Sequence, residues 1–483
     1  MAQNVNAPQA QYHNAKQWEI ALFSLNNSAS NLYLFAFGFL TYYATGIAGF
    51  ATFTVSSLLG AARLFDGLID PMIGVIMDHI DTKWGRFRPI MLISNIGLLL
   101  SFALLFSTYQ FEGSLKYGIY FVGLIFHKIV YSFQQTVTKA AQPALTNNPK
   151  QRPLFSIYDT IFSSIGIFAV GQMIVANWLS PRHGGEFNLA FFTEFIIGIC
   201  VISFVLTILA MIGISRKDNQ AFFGLGESTV ETKSIKDYWS VIKGNGPLQI
   251  LALTSALVKF LTTLIGDQVF VVLVFGIILG NYGISGTLGL IQIIPNLLIV
   301  AGFTTIASRT SLKNAYVLSL ITMLTSVALM GVILFTSADT REIFANGGLA
   351  MVLFSIGYIG FKIAGTYPSS VVLTMAADIS DYETARSGRF VSGLIGTIFS
   401  LTDSISTSLA PIVIGWLMIG IGYTDGYPGP DEALSPALFT AGTILLIIVP
   451  AILGSIALFL ISRYPLNKQK MIDVQAQISA RKG

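Results

Sequence analysis

Arg63-Leu-Phe-Asp66-Gly-Leu-Ile-Asp70-Pro71 sets two carboxylates four residues apart, and side chains at that spacing lie on one face of a helix. Such a pair can coordinate Na⁺, or share a proton, because two close like charges raise the proton affinity of one of them. The surrounding residues are apolar, so this chemistry falls inside a lipid-spanning helix. There each charge costs several kcal/mol unless it faces the bundle interior or a wet cavity. Arg63 either neutralises the acids as packing or meets an anionic group, and the spacing leaves both readings open.

Five cations fall within apolar runs: Arg63, Lys128, Lys139, Lys259 and Lys362. Asp267 follows Lys259 by eight residues, about two helical turns, so a continuous helix would put them on one face. Asp403 lies in a later run. Each such ion needs an interior partner. Other chemistry is missing from the pattern. The single cysteine, Cys200, allows no intrachain disulfide or cysteine metal site, and the four histidines have no ligand spacing. No Gly-x-x-x-x-Gly-Lys-Ser/Thr loop for a nucleotide is present, and no nucleophile–base set converges. The expectation is a protein that is not an enzyme and holds no metal, no cofactor beyond a co-transported Na⁺ or H⁺, and no nucleic acid.

The elements that must position these charges follow from composition. Of 483 residues 53% are hydrophobic and 11% charged, with a mean hydropathy of +0.69. A soluble domain carries about 25% charged residues, so too few remain here to solvate a large globular surface. A span needs about 20 apolar residues. Runs of that kind fall at 20–45, 50–77, 89–109, 117–146, 153–179 and 189–214, then at 247–280, 284–307, 313–337, 346–376, 390–420 and 434–462. The expected fold is an all-α membrane protein of about twelve transmembrane helices in two six-helix bundles. Its parts would be residues 1–214 with a polar N-terminal tail, a central loop at 215–245, a second bundle at 246–463, and a tail at 464–483.

Charge placement orients the chain. With both termini inside, 20 of the 28 Lys and Arg fall in cytoplasmic segments and three (Lys116, Arg182, Arg341) in outside loops. That is the positive-inside bias. The tail before the first span lacks the apolar stretch and cleavage site of a signal peptide, so it is expected to stay cytoplasmic.

After the second span comes Asp78-His-Ile-Asp81-Thr-Lys83-Trp-Gly85-Arg86-Phe-Arg88-Pro89, acids at a helix end followed by a tight basic turn. It can lock the cytoplasmic side by charge and capping contacts, or serve only as an inside-positive anchor. Arg-x-x-Asp-x-x-x-Asp-Pro-x-x-Gly from Arg63, together with Gly85-Arg-Phe-Arg-Pro89, resembles the glycoside–pentoside–hexuronide:cation symporters. Ala377-Asp378-Ile-Ser-Asp381-Tyr382-Glu383 with Ser387-Gly388-Arg389 resembles that family's loop between helices ten and eleven. The resemblance covers nearly the whole chain and implies a major facilitator fold in the inner or plasma membrane, with alternating access around a midplane site. It makes Asp66 and Asp70 cation ligands, and it makes Asp78, Arg86, Arg88, Asp378, Asp381 and Arg389 cytoplasmic gate residues. A monomer in lipid, carrying a sugar or glycoside, is the expected working form.

The chain departs from that family at its coupling residues. By the resemblance, Asn26-Asn27 replace a first-helix acid, Gln135 a fourth-helix acid, and Lys139 a sugar-stacking Trp; Asp159 stands for an Arg, and Ser404 for a Lys. Gln135 and Lys139 share a helical face, and Lys139 is expected to pair with Asp159 or a second-helix acid. Sugar sites combine flat aromatic faces with polar side chains. The candidates are Asn31, Arg63, Tyr131, Gln135, Lys139, Gln142, Tyr158, Asp159 and Tyr367. Arg63, Lys139 and Lys362 could instead recognise an acidic, uronide-type sugar, and an uncoupled facilitator or exchanger is the alternative to cation symport.

Overall fold

The computed structural model describes residues 13–78, 80, 82–146, 148, 150–219, 243–388 and 392–482. Among them there is no strand. The helices follow the order of the apolar runs: α1 (Gln17–Phe37, continued by Leu40–Tyr42 and Tyr43–Ile47), α2 (Thr52–Asp78), α3 (Phe87–Leu105), α4 (Gly113–Ala140), α5 (Arg152–Arg182) and α6 (Leu189–Ile214). Then come α7 (Gly246–Gly266 and Gln268–Ile278), α8 (Gly283–Ile291 and Ile293–Arg309), α9 (Leu312–Thr336), α10 (Leu349–Ser387), α11 (Ser392–Gly420), α12 (Pro436–Ser462) and α13 (Lys468–Lys482).

Eight helices among the described residues are both long and apolar enough to cross a membrane. The other stretches of the expected twelve are more polar or shorter. α1 carries Asn26, Asn27 and Asn31, α2 carries Arg63, Asp66 and Asp70, and α4 carries Lys116, Lys128 and Lys139. The second part of α8 is a shorter apolar helix. At Gly280 (φ 69°) the chain turns between α7 and α8, and the helices flanking it meet at 111°. Polar side chains at the helix starts accept the free first-turn amides: Asn245 from Leu248 N at 3.0 Å, Ser311 from Asn314 N at 3.2 Å and Ser435 from Leu438 N at 3.2 Å.

The chain divides into two compact units. One comprises Met1–Phe37, Leu68–Ala169 and Thr193–Thr229, and the other Gly38–Gly67, Val170–Phe192 and Val230–Gly483. These units cut across the sequence halves, because the Gly38–Gly67 and Val170–Phe192 segments of α1, α2 and α5 pack on the C-terminal helices.

In the first unit, Ile20, Phe23, Met91, Val137, Phe155 and Ile214 join one apolar core. A Cβ on Gly213 would come 2.7 Å from the Phe23 amide nitrogen, so α6 and α1 approach as closely as only glycine permits. A buried polar hub ties four helices together. Asn26 Nδ2 donates to the Gln134 carbonyl at 3.1 Å and to Thr138 Oγ1 at 2.8 Å, while Gln134 Nε2 donates to Asn26 Oδ1 at 2.7 Å. Ser94 bonds the same Gln134, and Asn95 Nδ2 donates to Ser203 Oγ at 2.8 Å. In lipid such amides are satisfied inside the bundle or not at all.

In the second unit α9 packs on α10, and α7 on α11 and α12. The segments contributed by α2 and α5 meet this bundle at glycine contacts. A Cβ on Gly60 would lie 2.9 Å from the Ser408 carbonyl of α11, and one on Gly286 of α8 would lie 2.6 Å from Met173 Cα of α5. Thr52 N donates to the Thr424 carbonyl at 2.9 Å, and Asn177 Nδ2 to the Gly283 carbonyl at 2.9 Å. Ser56, at this seam, is 1% exposed.

Candidate functional site

α2 carries Asp66 and Asp70 one turn apart on an uninterrupted helix. Asp66 is half-buried. The Asp70 and Asp78 side chains lie outside the described residues, as does Arg389. One turn before Asp66, Arg63 Nη1 donates to the Thr407 carbonyl of α11 at 2.8 Å. That carbonyl is open for a sequence reason. In a helix it would accept from the amide four residues on, which here is Pro411, an imino acid with no N–H. Arg63 supplies the missing donor. Asp66 and Asp267 lie within electrostatic range of the same guanidinium.

Asp267 corrects the expectation of one continuous face with Lys259. α7 breaks after Gly266: Asp267 is extended (φ −72°, ψ 137°) and its Oδ1 caps the next helical segment through Val269 N at 2.9 Å. A Gly-Asp pair is a stop-and-cap signal, and the sequence displays it inside an otherwise apolar run. Lys259 turns to α11 instead and pairs with Asp403 at 2.9 Å. Around the break, Gln268 Nε2 donates to Gln172 Oε1 at 3.2 Å, and Gln172 Nε2 donates to Tyr282 OH at 3.1 Å and Ser285 Oγ at 3.0 Å. Amides thus stitch α5, α7 and α8 together at the break of α7.

Lys362, mid-helix in α10, holds its ammonium 6.0 Å from the Tyr358 ring centroid, within cation–π range. Tyr358 is in turn edge-on to Phe275 at 4.9 Å. Tyr367 is buried against Phe303 at 4.8 Å.

In the first unit, α4 presents Tyr131 and Gln135 together, Gln135 Nε2 donating to Tyr131 OH at 3.1 Å, with both half-buried. Lys139 follows on that face and is exposed. Its expected pairing with Asp159 does not form. Asp159 accepts from Asn27 Nδ2 and, at 2.9 Å, from Ser163 Oγ, so amide and hydroxyl donors occupy the carboxylate. Asn31 is buried, Gln142 half-buried, and Tyr158 stacks on Phe162 at 5.9 Å. The adjacent Gln134, which sequence reasoning passed over, is the buried structural hub. One residue of helical rotation separates the packing amide from the open one.

The basic turn after α2 is organised by a residue the sequence did not single out. Asp218, just past α6, has a fully buried carboxylate that accepts from the backbone amides of Arg86 (2.8 Å), Phe87 (3.1 Å) and Arg88 (2.9 Å) and pairs with Arg88 Nε at 3.3 Å. Arg86 Nε donates to the Ile80 carbonyl at 3.1 Å. At the end of α10, Asp381 accepts from Gln475 of α13 at 2.7 Å, and Asp378 lines a groove of about 500 Å³ under that helix. Glu383 holds Asn245 at 2.9 Å and Arg386 at 3.0 Å.

Spanning-length apolar helices that carry charged and amide side chains fit a multi-pass membrane transporter of the major facilitator type. The chain belongs to the family described as MFS/sugar transport protein, whose model matches residues 25–468. It is 22% identical over 467 residues to a glucuronide carrier protein homolog of Escherichia coli (strain K12), covering 95% of each chain. It is 21% identical over 417 residues to an isoprimeverose transporter of Lactiplantibacillus pentosus, covering 86% of this chain and 82% of that one. In fold it is similar to a mutant form of the nucleoside transporter NupG, with TM-score 0.61, 14% identity, and coverage of 93% of this chain and 98% of that one.

Proposed function

We propose that this protein carries a sugar or glycoside across the inner or plasma membrane by alternating access, coupled to H⁺ or Na⁺, with both termini cytoplasmic. Asp66 and Asp70 are the cation ligands in this reading. Tyr131, Gln135, Asn31, Lys139 and Asp159 contact the sugar, and the turn with Arg86 and Arg88 is a gate element, as is, separately, the end of α10 with Asp378 and Asp381. The observation that carries it is the face of α4 on which Tyr131 and Gln135 are bonded to each other and only half-buried, followed by the exposed Lys139. An aromatic ring beside amide and charged groups, inside a span, suits a polyhydroxylated ring that has both apolar faces and hydroxyls. The relatives named for isoprimeverose and glucuronide support a carbohydrate cargo. The bias of Lys and Arg supports the orientation.

A second reading, an acidic sugar moved without an obligatory cation, is favoured by Lys362, whose ammonium faces a tyrosine ring rather than an ion-pair partner among the described residues. The test is uptake of labelled neutral and acidic glycosides into proteoliposomes with imposed H⁺ and Na⁺ gradients. Gradient-driven accumulation of a glycoside is the expected result. Entry of none of the panel under either gradient overturns the reading, and equilibration without accumulation selects the uncoupled alternative.

A further inference from the structure

We propose that Arg63 is the lock of the seam that α2 makes with α7 and α11, and that it transmits the state of Asp66 to that seam. The inference rests on the transport reading only in calling Asp66 a cation ligand; the lock itself stands on contacts within one compact unit.

Three features converge on the guanidinium. Pro411 strips the Thr407 carbonyl of its helical donor, and Arg63 takes the place at 2.8 Å. Helix-interior prolines usually leave such a carbonyl to water or to a hydroxyl; here a side chain of another helix closes it, so the bond exists only while α2 lies against α11. Asp267 stands at the break of α7 and adds a negative charge within range of the same group. Asp66, one turn along α2, pulls on it from its own helix. Around this centre the seam is closed tightly enough that Gly60 and Gly415 have no room for a Cβ, the first against the Ser408 carbonyl at 2.9 Å and the second against Ser56 Cβ at 2.4 Å.

The two acids compete for one cation, and they differ in what they hold together. The bond to Thr407 holds α2 to α11, and the Asp267 charge favours the same arrangement. Attraction to Asp66 stays within α2 and holds nothing across the seam. Neutralising Asp66, by a proton or by a bound Na⁺, removes the internal competitor and leaves Arg63 wholly to the second set. Loading the cation site therefore tightens the seam. A ligand shifts such an equilibrium only through its differential interaction with the two states, and Arg63 is where that difference arises.

The test uses thiol accessibility, which needs no knowledge of the cargo. In the full-length protein carrying Cys200→Ser and Ser56→Cys, the maleimide labelling rate of the buried position 56 reports opening of the seam. Asp267→Asn keeps the helix cap, since asparagine caps as well as aspartate, and removes only the charge. It is expected to raise the rate about tenfold, as is Arg63→Gln. Pro411→Ala gives Thr407 back its helical donor without changing any charge and is expected to raise the rate in the same direction. Asp66→Asn is expected to lower it. An unchanged rate in Asp267→Asn or in Pro411→Ala overturns the lock, so the idea remains exposed even if Arg63→Gln fails to fold. An unchanged or raised rate in Asp66→Asn overturns the link to the cation site. Failure of every glycoside to enter the proteoliposomes would strike the transport reading and leave these rates to stand on their own.

Discussion

Arg88 is bound twice by Asp218, through its backbone amide at 2.9 Å and through its guanidinium Nε at 3.3 Å. With the Arg86 and Phe87 amides on the same carboxylate, the first turn of α3 has its free donors collected by one acid at the positive end of the helix dipole. The basic turn at 82–88 is thereby a folded element, fixed by a residue 130 positions away.

Asp218→Ala is expected to destabilise the protein by about 1–3 kcal/mol, because it leaves several buried amides without an acceptor. Gly85→Ala is expected to lower stability as well, since φ there is 97° and a Cβ would sit 2.3 Å from the Asp218 carboxyl carbon. Thermal unfolding of the solubilised protein checks both. An Asp218→Ala protein as stable as the parent would mean that the cap contributes nothing.

The fold was largely legible because its signal is simple. Apolar runs of spanning length and the one-sided distribution of Lys and Arg depend on local composition, and the helices follow those runs. The motif residues Arg63 and Asp66 are also found mid-helix, as their apolar flanks require. What stayed hidden was pairing. Lys259 chooses Asp403 rather than Asp267, and Asp159 takes Asn27 rather than Lys139, because partners are selected by which helices touch, and neither spacing nor composition encodes that. Gln134 and Gln135 make the same point. Adjacent amides in one helix differ by a rotation of about 100°, and without the neighbouring helices nothing says which of them faces inward.

The Lys259–Asp403 pair joins α7 to α11 at 2.9 Å with both side chains partly exposed. Screened pairs of this kind contribute about 0–1 kcal/mol, so Asp403→Asn is expected to leave the unfolding temperature nearly unchanged. Glycoside uptake is expected to fall, because α7 and α11 lose the charge pair that joins them. Exchanging the two residues, Lys259→Asp with Asp403→Lys, is expected to restore part of it. A swap no better than Asp403→Asn alone would show that position, not pairing, is what matters.

Acidification is expected to loosen the start of α1. The Arg216 guanidinium, bonded to Glu19 at 2.6 Å, holds its carboxyl below the ordinary 4.5. A lowered folded-state value means the stabilisation is fully present above that ordinary value and is lost as the pH falls below it. Unfolding midpoints of the parent and of Glu19→Gln, measured from neutral pH down to about 3, should converge at the acid end. A gap that persists there would contradict the ionic origin.

Gly60→Val places branched carbons where a single Cβ already comes within 2.9 Å of the Ser408 carbonyl. It is expected to pry α2 from α11 and to raise maleimide labelling at position 56 without altering any charge. Labelling as slow as in the parent would mean the seam has slack that the contact geometry denies.

α10 runs for 39 residues, with Pro368 inside it. The proline leaves the Ala364 carbonyl without its helical donor and softens the rod at that point. Lys362 lies on one side of this joint. Glu383, which grips Asn245 at the start of α7, lies on the other, about 22 Å beyond the proline at 1.5 Å per residue. A change of about 10° in the bend swings that far end by roughly 4 Å, more than a hydrogen bond can follow. The far end of α10 is therefore a lever arm: a small flexion at Pro368 would be enough to break or remake the grip of Glu383 on Asn245.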